Sequence, residues 1–244
     1  MAARTEWPAS AEGLARVQEE LARAFPPGWT PPAGRLAAGG CYACFARGVR
    51  GQGAAGDPGV AGAAVTRGRR LLAVAASAGT AGAPYRPALL ALREGPLLAA
   101  AVHALPARPD VLLVNATGRD HPRRAGLALH LGAVLDLPTV GVTDRPLLAE
   151  GGWPDDAAGS AAPLLLDGER VGCWLRTRPG VRPVAVHAAW RTGVEVAVAV
   201  VLAATRRPAR TPEPLRRART AARLARARAA SRAGEERRSP HDQP

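Results

Sequence analysis

Apolar residues recur at helical spacing along residues 11–24, at Leu14, Val17, Leu21 and Ala22, between a Trp7-Pro8 entry and a Pro26-Pro27 stop. That pattern predicts an amphipathic first helix, ended where proline withdraws the backbone donor. Three short apolar segments follow near 36–46, 60–66 and 70–77, separated by Gly-rich or Arg-Gly stretches. They predict an antiparallel meander, with Gly68-Arg69-Arg70 turning one hairpin. Helical patterning returns over about 87–104, Val111 to Val114 is a short buried strand, 123–136 a helix, and Thr139 to Val142 another strand, which together make a βαβ crossover. A Gly/Ala/Asp loop over 150–162 precedes expected strands at 163–166, 171–177 and 182–187 and a helix at 190–204.

An antiparallel meander continued by parallel strands, with helices on the faces, predicts an α/β fold with a ribonuclease H-like mixed sheet. Enzymes acting on polynucleotides are common on that arrangement, but a fold does not fix a reaction. The expected division is a main domain over 1–205 and an Arg-rich C-terminal helix and tail over 206–244.

Composition sharpens the picture in two places. Of the 244 residues 47% are apolar but only 4% aromatic, so Leu, Val and Ala must fill the core. All 33 basic residues are Arg. Codon bias in a G+C-rich genome exchanges Lys for Arg without adding charge, so the net +13 points instead to a polyanionic partner. Residues 206–238 hold twelve Arg against three Glu, and this segment reads equally as a solvated electrostatic arm or a dedicated binding element. No export signal stands at the N-terminus, so a cytoplasmic location is expected, and a monomer is the expected state. The longest apolar stretch, Val194 to Ala204, contains Glu195 and is too short for the roughly 30 Å of a bilayer core. Cys41 and Cys44 form a CxxC, but on a strand they point to opposite faces, so neither disulfide nor zinc site is expected from them or from Cys173.

The segment Pro84-Tyr85-Arg86-Pro87-Ala88-Leu89-Leu90-Ala91-Leu92-Arg93-Glu94 resembles the PYxPGxLxFRE motif of the endonuclease V family. Pro109-Asp110 through Val114 to Gly118, with His121-Pro122-Arg123-Arg124-Ala125-Gly126, is similar to that family's PDxxxVDGHGxxHPRRxG. Leu137-Pro138-Thr139-Val140-Gly141-Val142 follows in order, and weaker echoes extend the resemblance from about residue 5 to 220. The resemblance implies cleavage of a nucleic-acid strand near deoxyinosine or inosine, with Mg²⁺ or Mn²⁺ held by clustered carboxylates.

On that pattern the catalytic positions are Glu94, Cys41 and Asn115, the last two standing where the family has metal-binding Asp. Asp144 replaces a lysine, and Ala189-Trp190 replaces a Gly-His pair, with His187 three residues earlier. Glu94 is then the one metal ligand retained, and a thiol with an amide is a poor match for a hard cation. Strand handling is implied for Pro84, Tyr85, Arg86 and Pro87 as a wedge, with a stacking face on Tyr85. Leu90, Gly118, Gly126 and Gly141 match base-pocket positions, and Ala88 stands where glycine is usual. His121, Arg123 and Arg124 are expected at a helix start that binds phosphate.

Three readings follow. The leading one is a nucleic-acid-binding homologue with lost or strongly reduced hydrolysis. The second is an active phosphodiester hydrolase using Glu94 with Asn115, Asp120 or Asp144, and the third a basic interaction protein without catalysis.

Overall fold

Ser10 opens the chain's first helix by accepting the Gly13 N–H at 3.0 Å, a side-chain cap for one of the donors a helix start leaves free. The helix, α1, runs Ala11–Arg23 and buries Leu14, Gln18 and Leu21. The computed structural model describes residues 7–238 except 47, 49 and 50, and of residues 232–238 the backbone alone. The last six residues of the Arg-rich tail lie outside the described residues.

The meander forms as expected: β1 (Ala37–Phe45) pairs antiparallel with β2 (Pro58–Arg67), and β2 with β3 (Arg70–Thr80). After α2 (Leu90–His103), β4 (Val111–Val114) lies parallel to β1. Beyond α3 (Leu127–Leu135), β5 (Thr139–Thr143) lies parallel to β4. The strands β6 (Ala161–Leu166), β7 (Glu169–Leu175) and β8 (Val184–Ala188) complete one eight-stranded sheet in the order β3-β2-β1-β4-β5-β8-β7-β6. This is the ribonuclease H-like mixed sheet the pattern predicts. The helices α4 (Val194–Ala204) and α5 (Glu213–Arg238) end the chain.

Strand alternation splits the core between the two faces. Leu112 and Val114 of β4 join Cys41 beneath α1, α2 and α3, whereas Val111 and Leu113 face α4 and Leu215 of α5. Cys41 and Cys44 accordingly point to opposite sides, and all three cysteines are free.

Three helices start later than their apolar pattern suggests, for a shared reason. Ala88 (φ +64°), Arg124 (φ +54°) and Arg191 (φ +58°) are left-handed, a conformation that breaks a right-handed helix. The chain therefore turns helical only at Leu90, Leu127 and Val194, not at 87, 123 and 190.

The Arg-rich segment is no free arm along its first turns. Leu215, Ala218 and Ala222 of α5 are buried, and a Cβ on Gly40 or Gly62 would collide with the α5 backbone at Pro214–Leu215 or Ala218–Ala222. Two strand glycines thus let the helix lie directly on β1 and β2. Among the described residues no helix is long and apolar enough to cross a membrane.

Candidate functional site

At the ends of β4 and β5, under the 84–88 loop, lies a cavity of about 260 Å³. Its walls come from Gln18 of α1, Tyr85 to Ala88, Leu90, the Asn115–Thr117 segment, His121, Leu127 and the Thr143–Leu147 segment. The loop is held to the 48–58 connection by the Tyr85 N–H, which donates to the Gln52 carbonyl at 2.7 Å. Proline on both sides of Tyr85-Arg86 restricts the backbone, and the Tyr85 side chain stands 48% exposed at the rim.

Polar contacts fix the wall behind this loop. His121 Nδ1 accepts the Arg123 N–H at 3.1 Å, so the proton sits on Nε2, which donates to the Ala88 carbonyl at 3.0 Å. Burial pushes the His121 pKa down, against the opposing Ala88 contact, and the ring is neutral. The Gln18 amide donates to the same carbonyl at 3.3 Å and accepts from the Arg123 guanidinium at 3.3 Å. Ala88 is therefore held in its left-handed conformation by two donors reaching from α1 and from the turn before α3.

The remaining expected binding residues divide. Leu90 lines the cavity, whereas Gly118, Gly126 and Gly141 are not among its walls. A Cβ on them would strike the Ala188, Thr117 and Ala116 carbonyls respectively. Their role in the fold is close backbone approach, which sets the cavity's shape from outside. Arg124 turns away: its guanidinium donates to the Leu166 carbonyl at 3.1 Å and pairs with Asp167 at 2.9 Å and Glu169 at 3.3 Å, on the β6–β7 hairpin. The expected phosphate site at a helix start also shifts, because α3 begins three residues after Arg124 with Gly126 as its cap.

Cys41 sits on β1 opposite Val114 with no exposed surface and its Sγ 4.0 Å from the Leu113 carbonyl. Burial raises its pKa steeply, the nearby Glu94 charge adds to this, and the group stays a thiol. Glu94, on the second turn of α2, is half-buried, and desolvation pushes its pKa up to about 7 against the pull of Arg93. Arg93 itself is fixed by the Ala83 carbonyl at 2.7 Å, Asp57 at 3.1 Å and the Phe45 ring at 4.0 Å. Asn115 is exposed at the end of β4.

A carboxyl half-protonated at neutral pH, a neutral amide and a buried thiol do not fit Mg²⁺, which takes charged oxygen ligands in near-ideal octahedral geometry. Among the described residues no three or more His, Cys, Asp or Glu side chains gather into a metal-holding group. The acids available as substitutes are committed elsewhere. Asp120 is fully buried and accepts the N–H groups of Leu147, Leu148 and Ala149 at 2.6, 2.9 and 2.8 Å. Asp144 pairs with Arg210 at 2.6 Å. His187 is buried too, its Nε2 2.8 Å from Thr143 Oγ1 and its Nδ1 3.7 Å from Asp120, and burial lowers its pKa against the Asp120 charge. The Trp190 carbonyl accepts the Thr139 N–H at 3.0 Å, its own N–H donates to Thr139 Oγ1 at 3.1 Å, and its ring packs on the α1–α3 side of the core.

Thr117, Thr143, Arg145, Pro146 and Leu147 also line the cavity without having been singled out in the sequence. The available signal was their place at or just after the ends of β4 and β5, since loops leaving parallel strands at their C-terminal ends habitually build α/β sites.

The endonuclease V family profile matches residues 49–220. Endonuclease V of Streptomyces coelicolor is 42% identical over 221 residues, 86% of this chain and 88% of that one. Over a shorter span of 147 residues, the Streptomyces avermitilis enzyme is 44% identical, covering 60% of this chain and 64% of its own. The crystal structure of endonuclease V from Streptomyces avermitilis superposes with a TM-score of 0.80 at 38% identity, covering 92% of this chain and 96% of that one. Human endonuclease V superposes with a TM-score of 0.75 at 27% identity, covering 91% and 100%. With the motif blocks in order, one sheet topology and these matches across most of its length, the chain belongs to the endonuclease V family.

Proposed function

We propose that this protein binds an unpaired stretch of a nucleic-acid strand, seats one base in the cavity beside Tyr85, and has lost or strongly reduced the strand cleavage its family is named for. Support for the binding half comes from the cavity's construction: a stiffened loop presenting an aromatic face, with Arg86 and Arg145 at the rim. Stacking on such a face contributes roughly 1–3 kcal/mol per base. A Ciona intestinalis endonuclease V of the same fold has been crystallised with DNA containing inosine followed by a ribo-adenosine, so a deaminated base is the first candidate occupant.

The single observation that carries the catalytic half is the chemistry of the set: a buried thiol at Cys41 beside the high-pKa carboxyl of Glu94, and an amide at Asn115, the residue after Cys41's strand partner Val114. When bound, a divalent cation would lower the pKa of a water and stabilise the leaving oxygen. These three side chains offer it at most one negative charge. Their chemistry suits recognition: Asn115 presents donor and acceptor, and a protonated Glu94 is a donor.

The experiment is a restoration. The Cys41→Asp/Asn115→Asp variant, checked for folding by circular dichroism, is incubated with a labelled inosine-containing strand in Mg²⁺. Cleavage at least about 10²-fold above the unmodified protein is expected. Measurable cleavage at equal rates by the two proteins would contradict the proposal.

A further inference from the structure

On the side of the sheet away from α1–α3, between the β2–β3 turn and the start of α5, lies a second cavity of about 420 Å³ lined by seven arginines and one acid, Glu213. Internal pairing neutralises little of it. Glu213 is shared by Arg216 and Arg217 at 2.8 and 2.7 Å, and Arg210 takes Asp144 at 2.6 Å. Two carboxylates thus face seven guanidiniums, and five positive charges are left over. Arg69, Arg207, Arg216 and Arg217 are exposed. Arg219 lies with its guanidinium 5.0 Å from the Tyr42 ring, and its Nε is buried without a hydrogen-bond partner among the described residues.

Packing five uncompensated guanidiniums around one hollow costs self-repulsion that a solvated surface would avoid by spreading them. The backbone fixes two of the seven side chains: Arg206 donates to the Gly68 carbonyl at 2.9 Å and Arg210 to those of Arg182 and Pro183 at 2.6 and 2.9 Å, while α5, which carries Arg216, Arg217 and Arg219, is pinned to the sheet through Gly40 and Gly62. Guanidiniums fixed in this way are pre-organised for phosphate oxygens. The hollow is linked to the first cavity at one point, beyond the end of β5. Thr143 lines that cavity, and its neighbour Asp144 is the residue that grips Arg210 of the hollow.

We infer that this arginine hollow is a second binding site, for the phosphodiester backbone of the strand whose base occupies the first cavity. It extends the path of that strand over the end of β5 and along the start of α5. The inference rests on the nucleic-acid reading above and deepens it. The site is indifferent to base identity, because guanidiniums aimed at phosphates carry no sequence information.

The test uses strand length. Fluorescence anisotropy is measured for single strands of about 6 and about 24 nucleotides, with the full chain and with the Arg69→Gln/Arg216→Gln/Arg217→Gln variant, across a salt series. The variant should bind the long strand roughly tenfold more weakly, with a salt slope smaller by about 2, at about 0.7 per lost phosphate contact on a single strand. The short strand should be unaffected. Unchanged binding of both lengths, or equal loss for both, would overturn the inference. If the unmodified protein binds neither strand, the nucleic-acid reading itself falls, and this site with it. The same assay with inorganic polyphosphate as competitor separates the two sources of phosphate: displacement of the short strand as readily as the long one counts against a site dedicated to the backbone.

Discussion

Glu94 holds its proton up to about pH 7 because its half-buried carboxyl loses hydration that Arg93 does not fully replace. Between its ordinary value of 4.5 and about 7 the folded chain binds more protons than the unfolded one. The contribution of this group is therefore complete below pH 4.5 and is lost as pH rises to about 7. Glu94→Gln should raise stability at pH 8 by about 1–3 kcal/mol and leave it nearly unchanged at pH 4.5, read from urea unfolding at the two values. His130 works in the opposite sense. It is buried against Trp7, neither ring nitrogen has a partner among the described residues, and desolvation pushes its pKa down to about 4. Its neutral form supports the fold above pH 6.5, and that support is lost as pH falls from 6.5 towards 4. His130→Phe should flatten the acid side of the stability profile. Ala88 is a third lever: relief of its left-handed conformation, worth about 1–2 kcal/mol, outweighs the roughly 0.4–1 kcal/mol that glycine adds to unfolded-chain entropy. Ala88→Gly should raise the urea midpoint slightly.

At the scale of elements, every strand and the first four helices were legible in the apolar pattern, because aliphatic alternation and helical spacing dominate a chain so poor in aromatics, whereas α5 was legible from its Arg-rich composition. The ends of three helices were not. Left-handed backbone at Ala88, Arg124 and Arg191 depends on partners distant in sequence, such as Gln18 and His121 for the Ala88 carbonyl. The fate of the charged candidates was hidden for the same reason. Nothing near Arg124 in the sequence announces Asp167 and Glu169, and nothing near Asp120 announces the three N–H groups it serves. What the motif blocks did convey was an alignment: the resemblance sets Cys41, Glu94 and Asn115 at the family's catalytic positions, an expectation that rests on identity and not on contact. The loop that carries Tyr85 is expected to work as an element: Tyr85→Ala should weaken binding of an unpaired strand about tenfold or more, while Pro84 and Pro87 keep the loop in place. Equal affinity of that variant and the parent in anisotropy titrations would mean that the Arg surface alone drives association.

Across the whole molecule, the Arg-rich C-terminal segment is both structural and electrostatic. Its inner face closes the sheet with Leu215, Ala218 and Ala222, and its outer turns carry charge. A chain ended at 204 exposes those strand faces and should lose cooperative unfolding, against a typical domain stability of only about 5–15 kcal/mol. A chain ended at 231 should melt as the full protein does. The two truncations separate loss of fold from loss of charge in any binding experiment. Whether Glu94, Cys41 and Asn115 support cleavage is tested most directly by single-turnover incubation of the unmodified protein with a labelled inosine-containing strand, in saturating Mg²⁺ and then Mn²⁺. The strand is expected to be bound and recovered intact in both metals, and metal-dependent, site-specific cleavage beside the inosine would contradict the account.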